Sequence, residues 1–228
     1  MKNIIFIAPP AAGKGTISLM ICSKYNIPHI STGELLRNEI AISSKIGLQI
    51  KESMALGKFV SDEVITKLLK KRLSNKDCKK GYILDGYPRN LAQAKIYDSI
   101  LEELSMDTGI VIFLDIDKDT ALKRVMSRII CSKCGMSYNL SVESLSPVRE
   151  GICDNCSSSL KVRSDDTENT FNDRYDTYMK ETYPLVEYYE SKNNLIRIDV
   201  SNKSPEEIFE EIKKVIKWLL LKVIMSYH

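Results

Sequence analysis

Short apolar runs alternate along this chain with longer segments of helical spacing. Residues 4–8, 28–30, 82–84, 110–115 and 195–199 are rich in Ile, Val and Leu. They show little polar alternation, which predicts strands covered on both faces. Residues 16–24 predict a helix directly after the first run. Residues 91–104 space Ala94, Tyr97, Leu101 and Leu104 at intervals of three or four, one face of a helix. Residues 120–130, 168–192 and 205–223 read as helices too, the last opening with Ser204 ahead of Pro205 and Glu207. Strand-like runs alternating with helices predict an α/β fold, a mostly parallel five-stranded sheet with helices on both faces.

Two stretches break this rhythm. Residues 31–60 form a helical segment whose Ser31 and Glu34 have capping-box spacing. Residues 127–164 lose helical periodicity and fill with Ser, Gly, Pro and Cys. Both predict excursions from a core built of residues 1–30, 61–126 and 165–228.

Composition narrows the classes. A chain of 228 residues with 43% hydrophobic and 28% charged residues can bury a sizeable core as an ordinary soluble protein. A net charge of +3 is too small to argue for nucleic acid. The apolar start is cut off at Pro9 and Pro10, too short for a signal peptide. Residues 215–225 are interrupted by Lys217 and Lys222 and fall short of the ~20 apolar residues that span a bilayer. A cytoplasmic protein without a membrane partner is expected. Six cysteines in that setting point to thiols or metal ligands rather than a disulfide framework.

After the first strand comes Ala8-Pro9-Pro10-Ala11-Ala12-Gly13-Lys14-Gly15-Thr16, then a helix. Such a turn aims backbone N–H groups and the positive helix end at phosphate. Lys14 adds a charge for a transferring phosphate, and Thr16 a hydroxyl near its metal. The general pattern is G-x-x-x-x-G-K-[ST]. Here Ala8 stands in the place of the first Gly and Gly15 in that of the Ser or Thr. The alternative is a helix start that merely reads Gly-Lys-Gly-Thr. Asp85 ends an apolar strand, a natural place for a carboxylate holding magnesium or its waters. Arg37 and Arg89 could each grip a phosphate in bidentate fashion, or simply be solvated.

Cys131-Ser132-Lys133-Cys134 and Cys153-Asp154-Asn155-Cys156 are two C-x-x-C pairs separated by 18 residues, Gly135 to Ile152. That spacing suits a closed, structural zinc site of four thiolates, in which zinc takes no part in chemistry. A redox dithiol or disulfides are the alternatives. Cys22 and Cys78 lack partner spacing and read as ordinary thiols; His29 and His228 show no role.

The turn resembles the G-x-P-G-x-G-K-G-T loop of adenylate kinases, where Gly after the Lys is normal. Three further stretches match that family in order: Ile30 to Arg37 (ISTGELLR), Ile83 to Arg89 (ILDGYPR) and Arg163-Ser164-Asp165-Asp166. The likeness runs from residue 3 to about 215. It implies a P-loop core with a helical AMP-binding insertion at 31–60 and a zinc-binding lid at 127–164. The implied reaction is ATP + AMP = 2 ADP with magnesium. ATP would contact Ala11, Ala12, Gly13, Lys14, Gly15, Thr16, Arg124, Arg128, Ser137 and Tyr138, with its adenine near Asn202 or Lys203. AMP would contact Thr32, Arg37, Lys58, Phe59, Val60, Gly86, Tyr87, Pro88, Arg89, Gln93, Arg163 and Arg174. Catalysis would fall to Lys14, Asp85, Arg89, Arg124, Arg128, Arg163 and Arg174, and zinc to Cys131, Cys134, Cys153 and Cys156. The partners implied are the nucleotides ATP, AMP and ADP, bound by a monomer.

The chain departs from that pattern at Ala8, Ala11 and Val200, each standing where the family has Gly. Those departures keep open a degenerate nucleotide binder of low activity. Asn90 after Arg89 resembles UMP/CMP-type kinases, whereas Thr32 and Gln93 match adenine selection. A zinc-ribbon nucleic-acid module fits the cysteines but not the near-neutral charge.

Overall fold

The structure, a computed structural model, describes residues 3–55, 60–163 and 165–225. In chain order the elements are β1 (Ile4–Ile7), α1 (Lys14–Tyr25), β2 (His29–Ser31), α2 (Thr32–Ala41), α3 (Lys45–Ala55), α4 (Asp62–Leu73), β3 (Ile83–Asp85), α5 (Leu91–Glu103), β4 (Ile110–Asp115) and α6 (Lys118–Met126). Then follow β5 (Arg128–Cys131), β6 (Ser137–Asn139), β7 (Leu160–Val162), α7 (Glu168–Thr177), α8 (Pro184–Ser191), β8 (Leu195–Asp199) and α9 (Pro205–Met225).

Five strands form one parallel sheet in the order β2-β3-β1-β4-β8. Successive strand side chains point to opposite faces, and both faces are covered. Ile4 and Phe6 of β1 join Ile112 and Leu114 of β4, Ile17 and Ile21 of α1 and Ile212 of α9 in one core layer. Ile5 and Ile7 join Val111, Phe113, Tyr97 and Leu185 in the other. This double burial is why the strands read as unbroken apolar runs. A second, antiparallel sheet, ordered β6-β5-β7, lies wholly within residues 128–162.

The structure corrects several expectations. The helix expected over 120–130 ends at Met126, and Arg128–Cys131 is a strand instead. Ile129 and Ile130 pair there with Tyr138 and Ser137 on one side and with Val162 and Lys161 on the other. The helix expected over 168–192 is broken by one wider turn at Tyr178–Thr182, closed by Tyr183 N donating to Tyr178 O at 2.8 Å. Pro184, which has no N–H to give, starts the next helix. Among the described residues, the 31–60 segment holds two helices separated around Ser43, and α4 follows as a further helix outside the expected set. Gly47 lets α3 lie against α2, since a Cβ there would sit 1.9 Å from Glu39 O. Ser31 stands at the start of α2 but makes no capping bond. The capping pair forms at α9 instead, where Glu207 N donates to Ser204 Oγ at 3.2 Å and Ser204 N to Glu207 Oε2 at 2.8 Å.

Candidate active site

The phosphate loop leaves β1 and enters α1 through Gly13, whose φ of 84° is a left-handed conformation that glycine adopts without strain. The first turn of α1 carries no acid, so its positive end is uncompensated at the loop. Ala11 also lies in the left-handed region, at φ 64°, while Ala8 does not. Strand order then fixes what faces the loop. Because β3 is the neighbour of β1, Asp85 at its end reaches Lys14, with Nζ 2.7 Å from Oδ1. Because β2 flanks β3, His29 comes too, with Nε2 3.2 Å from Oδ2. Burial is the largest influence on the Asp85 carboxyl and acts to raise it. The close His29 ring and the Lys14 ammonium outweigh this together and hold it far below the usual carboxylate range. His29, for which sequence reasoning found no role, is thus part of the site; its signal is register, since it pairs with Ile83 two residues before Asp85.

A second cluster gathers around Gly86. Thr32 Oγ1 donates to Gly86 O at 3.2 Å, and Arg89 Nε donates to the same oxygen at 2.9 Å. Arg89 N donates to Gln93 Oε1 at 2.8 Å, and Gln93 Nε2 donates to Asp62 Oδ1 at 2.7 Å. Asp62, which no motif in the sequence marks, thereby orients Gln93 from the start of α4. Asn90 caps α5, accepting from Gln93 N at 3.0 Å, which accounts for it without reference to a pyrimidine substrate. Tyr87 is buried, Pro88 follows it, and Val60 is half-buried. The Arg37 guanidinium lies over Gly33, where a Cβ would meet it at 3.3 Å. Lys58, Phe59 and Ser164 lie outside the described residues.

The remaining arginines are all engaged. Arg128 Nε donates to Asp166 Oδ2 at 2.7 Å, and its NH2 bonds the other oxygen of that fully buried carboxylate. Arg163 holds Asp165 in bidentate fashion at 3.0 and 2.9 Å, and Arg174 donates to Asp165 Oδ2 at 2.5 Å. Arg174 first and Arg163 second pull the Asp165 carboxyl down to about 2. Two adjacent aspartates thus hold Arg128 and Arg163, partners that nothing in the sequence marks. Arg124 NH2 donates to Val200 O at 2.7 Å and Ser201 O at 3.3 Å, so it ties α6 to the loop after β8. Lys203 pairs with Glu211 at 2.5 Å.

At the small sheet, the Sγ atoms of Cys131, Cys134, Cys153 and Cys156 all lie within 4.8 Å of one another. Tetrahedral zinc with Zn–S bonds of about 2.3 Å sets its sulfurs roughly 3.8 Å apart, so the four fit one such ion. They form the only such set among the described residues. Tyr138 is buried beside them. Its hydroxyl accepts from Asp154 N at 2.7 Å and donates to Cys153 Sγ at 3.5 Å, so its ring packs as part of the cysteine cluster. Ser137, beside it on β6, is exposed. Burial pushes the thiols of Cys22 and Cys78 up to about 11, as unreactive thiols.

Comparison with known proteins agrees with this geometry. A family model described as adenylate kinase matches residues 6–194. The chain is 41% identical over 214 residues to an adenylate kinase of Clostridium tetani, covering 94% of this chain and 98% of that one. It is 40% identical over 215 residues to one of Thermosipho africanus, with 94% and 99% covered. It is 41% identical over 219 residues to one of Thermotoga neapolitana, with 96% and 98% covered. With a match of that length, running through loop, sheet edge and cysteine knuckles alike, the chain belongs to the adenylate kinase family.

Proposed function

We propose that ATP lies on the phosphate loop and AMP beside the Gly86 cluster, with Lys14 and Asp85 between them. As an adenylate kinase the chain is a nucleoside monophosphate kinase, a phosphotransferase interconverting ATP plus AMP with two ADP. The bond from the γ-phosphorus to its bridging oxygen breaks as an AMP phosphate oxygen bonds to that phosphorus. Transfer of this kind needs positioning and charge neutralisation more than covalent help. The observation that carries the residue assignments is the convergence of Lys14 and Asp85 at the uncompensated start of α1.

In this reading Ala11, Ala12, Gly13, Gly15 and Thr16 present amides and a hydroxyl to the ATP phosphates. Lys14 leaves Asp85 to follow the transferring group. Asp85 would hold the magnesium that comes with ATP, or its waters, and magnesium supplies charge neutralisation on the phosphates. Thr32, Arg37, Gly86 to Arg89 and Gln93 seat AMP, Gln93 being aimed by Asp62. Arg124, Arg163 and Arg174 neutralise the phosphates once released from Val200 and Asp165, while Arg128 faces ATP from its seat on Asp166. Ser137 and Tyr138 approach ATP through the β6 backbone, and the loop at 202–203 lies by its adenine. Residues 31–60 and 127–164 move as lids on a core of 1–30, 61–126 and 165–228. Cys131, Cys134, Cys153 and Cys156 would hold one zinc that stiffens the second lid. No described helix is long and apolar enough to cross a membrane; a cytoplasmic monomer is the proposed setting.

A coupled assay of ADP formation tests the substrate assignment. AMP is expected to be phosphorylated far faster than CMP or UMP. Equal rates with CMP would overturn the roles given to Thr32 and Gln93.

A further inference from the structure

A cleft of about 460 Å³ opens at the carboxyl edge of β4 and β8, under α7 and the turn that follows it. Asp115, Asp117 and Asp199 line it together with Phe113, Tyr175 and Tyr178. An acid-lined wall of this kind repels polyphosphate, so the nucleotide chemistry leaves the cleft unexplained.

Three observations say what it suits. First, two of its rings already carry cations of this chain. Lys118 Nζ stands 5.1 Å from the Tyr175 centroid, and the Arg197 guanidinium 4.9 Å from that of Phe113. Second, the acids are unevenly neutralised. Arg197 pairs with Asp115 at 2.9 Å. Asp117 accepts from Thr120 N at 2.8 Å, and Asp199 from Ser201 N at 2.9 Å. These backbone bonds, first among the influences on each, lower both carboxyls and keep them ionised. The charge of Lys203 reaches Asp199 more weakly, and that lysine is itself held by Glu211. The two carboxylates also repel one another across the cleft. Third, Tyr178 is 7% exposed, and its buried hydroxyl has no hydrogen-bond partner among the described residues. Its ring packs between those of Tyr175 and Tyr183, with centroids 6.1 and 6.3 Å away. An unpaired buried hydroxyl is unfavourable, and an entering N–H group would relieve it.

We propose that this cleft is a binding site for an organic cation of the alkyl-polyamine class. One ammonium bridges Asp117 and Asp199, and the chain lies along the aromatic wall with a second N–H group on Tyr178. A small metal ion fits less well, because no three of these carboxylates lie close enough to share one. The cleft adjoins the nucleotide assignments above, with Pro9 of the phosphate loop and Ser201 on its lining, but Asp117, Asp199 and Tyr178 are not among them.

Spermidine is the probe, titrated calorimetrically into the metal-loaded full chain without nucleotide, since polyamines also bind ATP. Saturable binding at one site per chain is expected, and potassium chloride of equal ionic strength should not reproduce it. Asp117→Asn with Asp199→Asn keeps both backbone bonds, because Asn caps as well as Asp. It should weaken binding by about tenfold or more, as expected for lost charge-assisted contacts. Tyr178→Phe should weaken it about two- to tenfold, and decides the matter should the double variant not fold. No saturation by about 1 mM spermidine, or unchanged affinity in the folded double variant, overturns the proposal.

Discussion

Ala11 carries a backbone angle suited to glycine. A left-handed conformation costs a residue with a Cβ roughly 1–2 kcal/mol, whereas Gly adopts it freely. Against that, Gly loosens the unfolded chain by about 0.5–1 kcal/mol. Ala11→Gly should therefore stabilise the protein by up to about 1 kcal/mol, while Ala8→Gly, with no positive φ to relieve, should destabilise it slightly. Urea unfolding of the two single variants checks this, and shifts of the same sign would contradict the strain assigned to Ala11. Lys14 and Asp85 make a different test. The folded Asp85 carboxyl is depressed, so its pairing contributes stability above the unfolded value near pH 4, and that contribution is lost as pH falls. Lys14→Met should cut turnover about 10²–10³-fold. It should cost only about 1 kcal/mol of stability at pH 7, because the pair is partly exposed. The stability gap should narrow in acid. A gap that persists unchanged at pH 3 would mean the charge pairing contributes nothing.

The small sheet of β5, β6 and β7 has almost no core of its own. Only Cys131, Tyr138 and Cys153 are buried in its cluster, with Ile129, Cys156 and Leu160 packed alongside. So small a cluster does little to offset the ordering of the residues around it, and the proposed zinc would hold the element together. Cys153→Ser should release the zinc and lower the melting temperature, with the parallel sheet still folded. Metal analysis and far-ultraviolet dichroism read the two effects, and full metal retention in the variant would contradict the four-cysteine assignment. The cysteine pairs are legible in sequence because their spacing is local. So are the five parallel strands, since burial on both faces leaves no polar alternation to confuse them. The boundary at Ser127 is not, because Ile129 and Ile130 suit a helix face as well as a strand. What decides is pairing with Tyr138 and Val162, which no local pattern reports. For the same reason the sequence reveals the arginines but not their partners: Asp166 lies 38 residues from Arg128 and meets it only through the fold.

Those partners bear on how the molecule closes. Arg128, Arg163 and Arg174 sit at the junction of the small sheet with α7, each held by Asp165 or Asp166. Bound phosphates would compete with these carboxylates for the same guanidinium groups. Partly exposed pairs are weak, typically no more than about 1 kcal/mol, so Arg163 and Arg174 can be drawn away at little cost. Arg128 is harder to move, because its partner Asp166 is fully buried and would be left with an unpaired charge. Arg128 should thus act as the hinge-side anchor, while Arg163 and Arg174 turn onto the nucleotide as residues 127–164 swing down. In the proposed closure, residues 31–60 would come in from the other side through Arg37. Both movements would exclude water from the transferring phosphoryl group and so suppress ATP hydrolysis. A bisubstrate analogue that joins two adenosines through a phosphate chain should compact the protein, with a smaller radius of gyration in solution scattering. Asp166→Asn should loosen the anchor and blunt that compaction, whereas Asp165→Asn should leave it intact or favour it. An unchanged radius at saturating analogue would rule out two closing lids, and equal effects of the two Asn variants would rule out the division between anchor and mobile arginines.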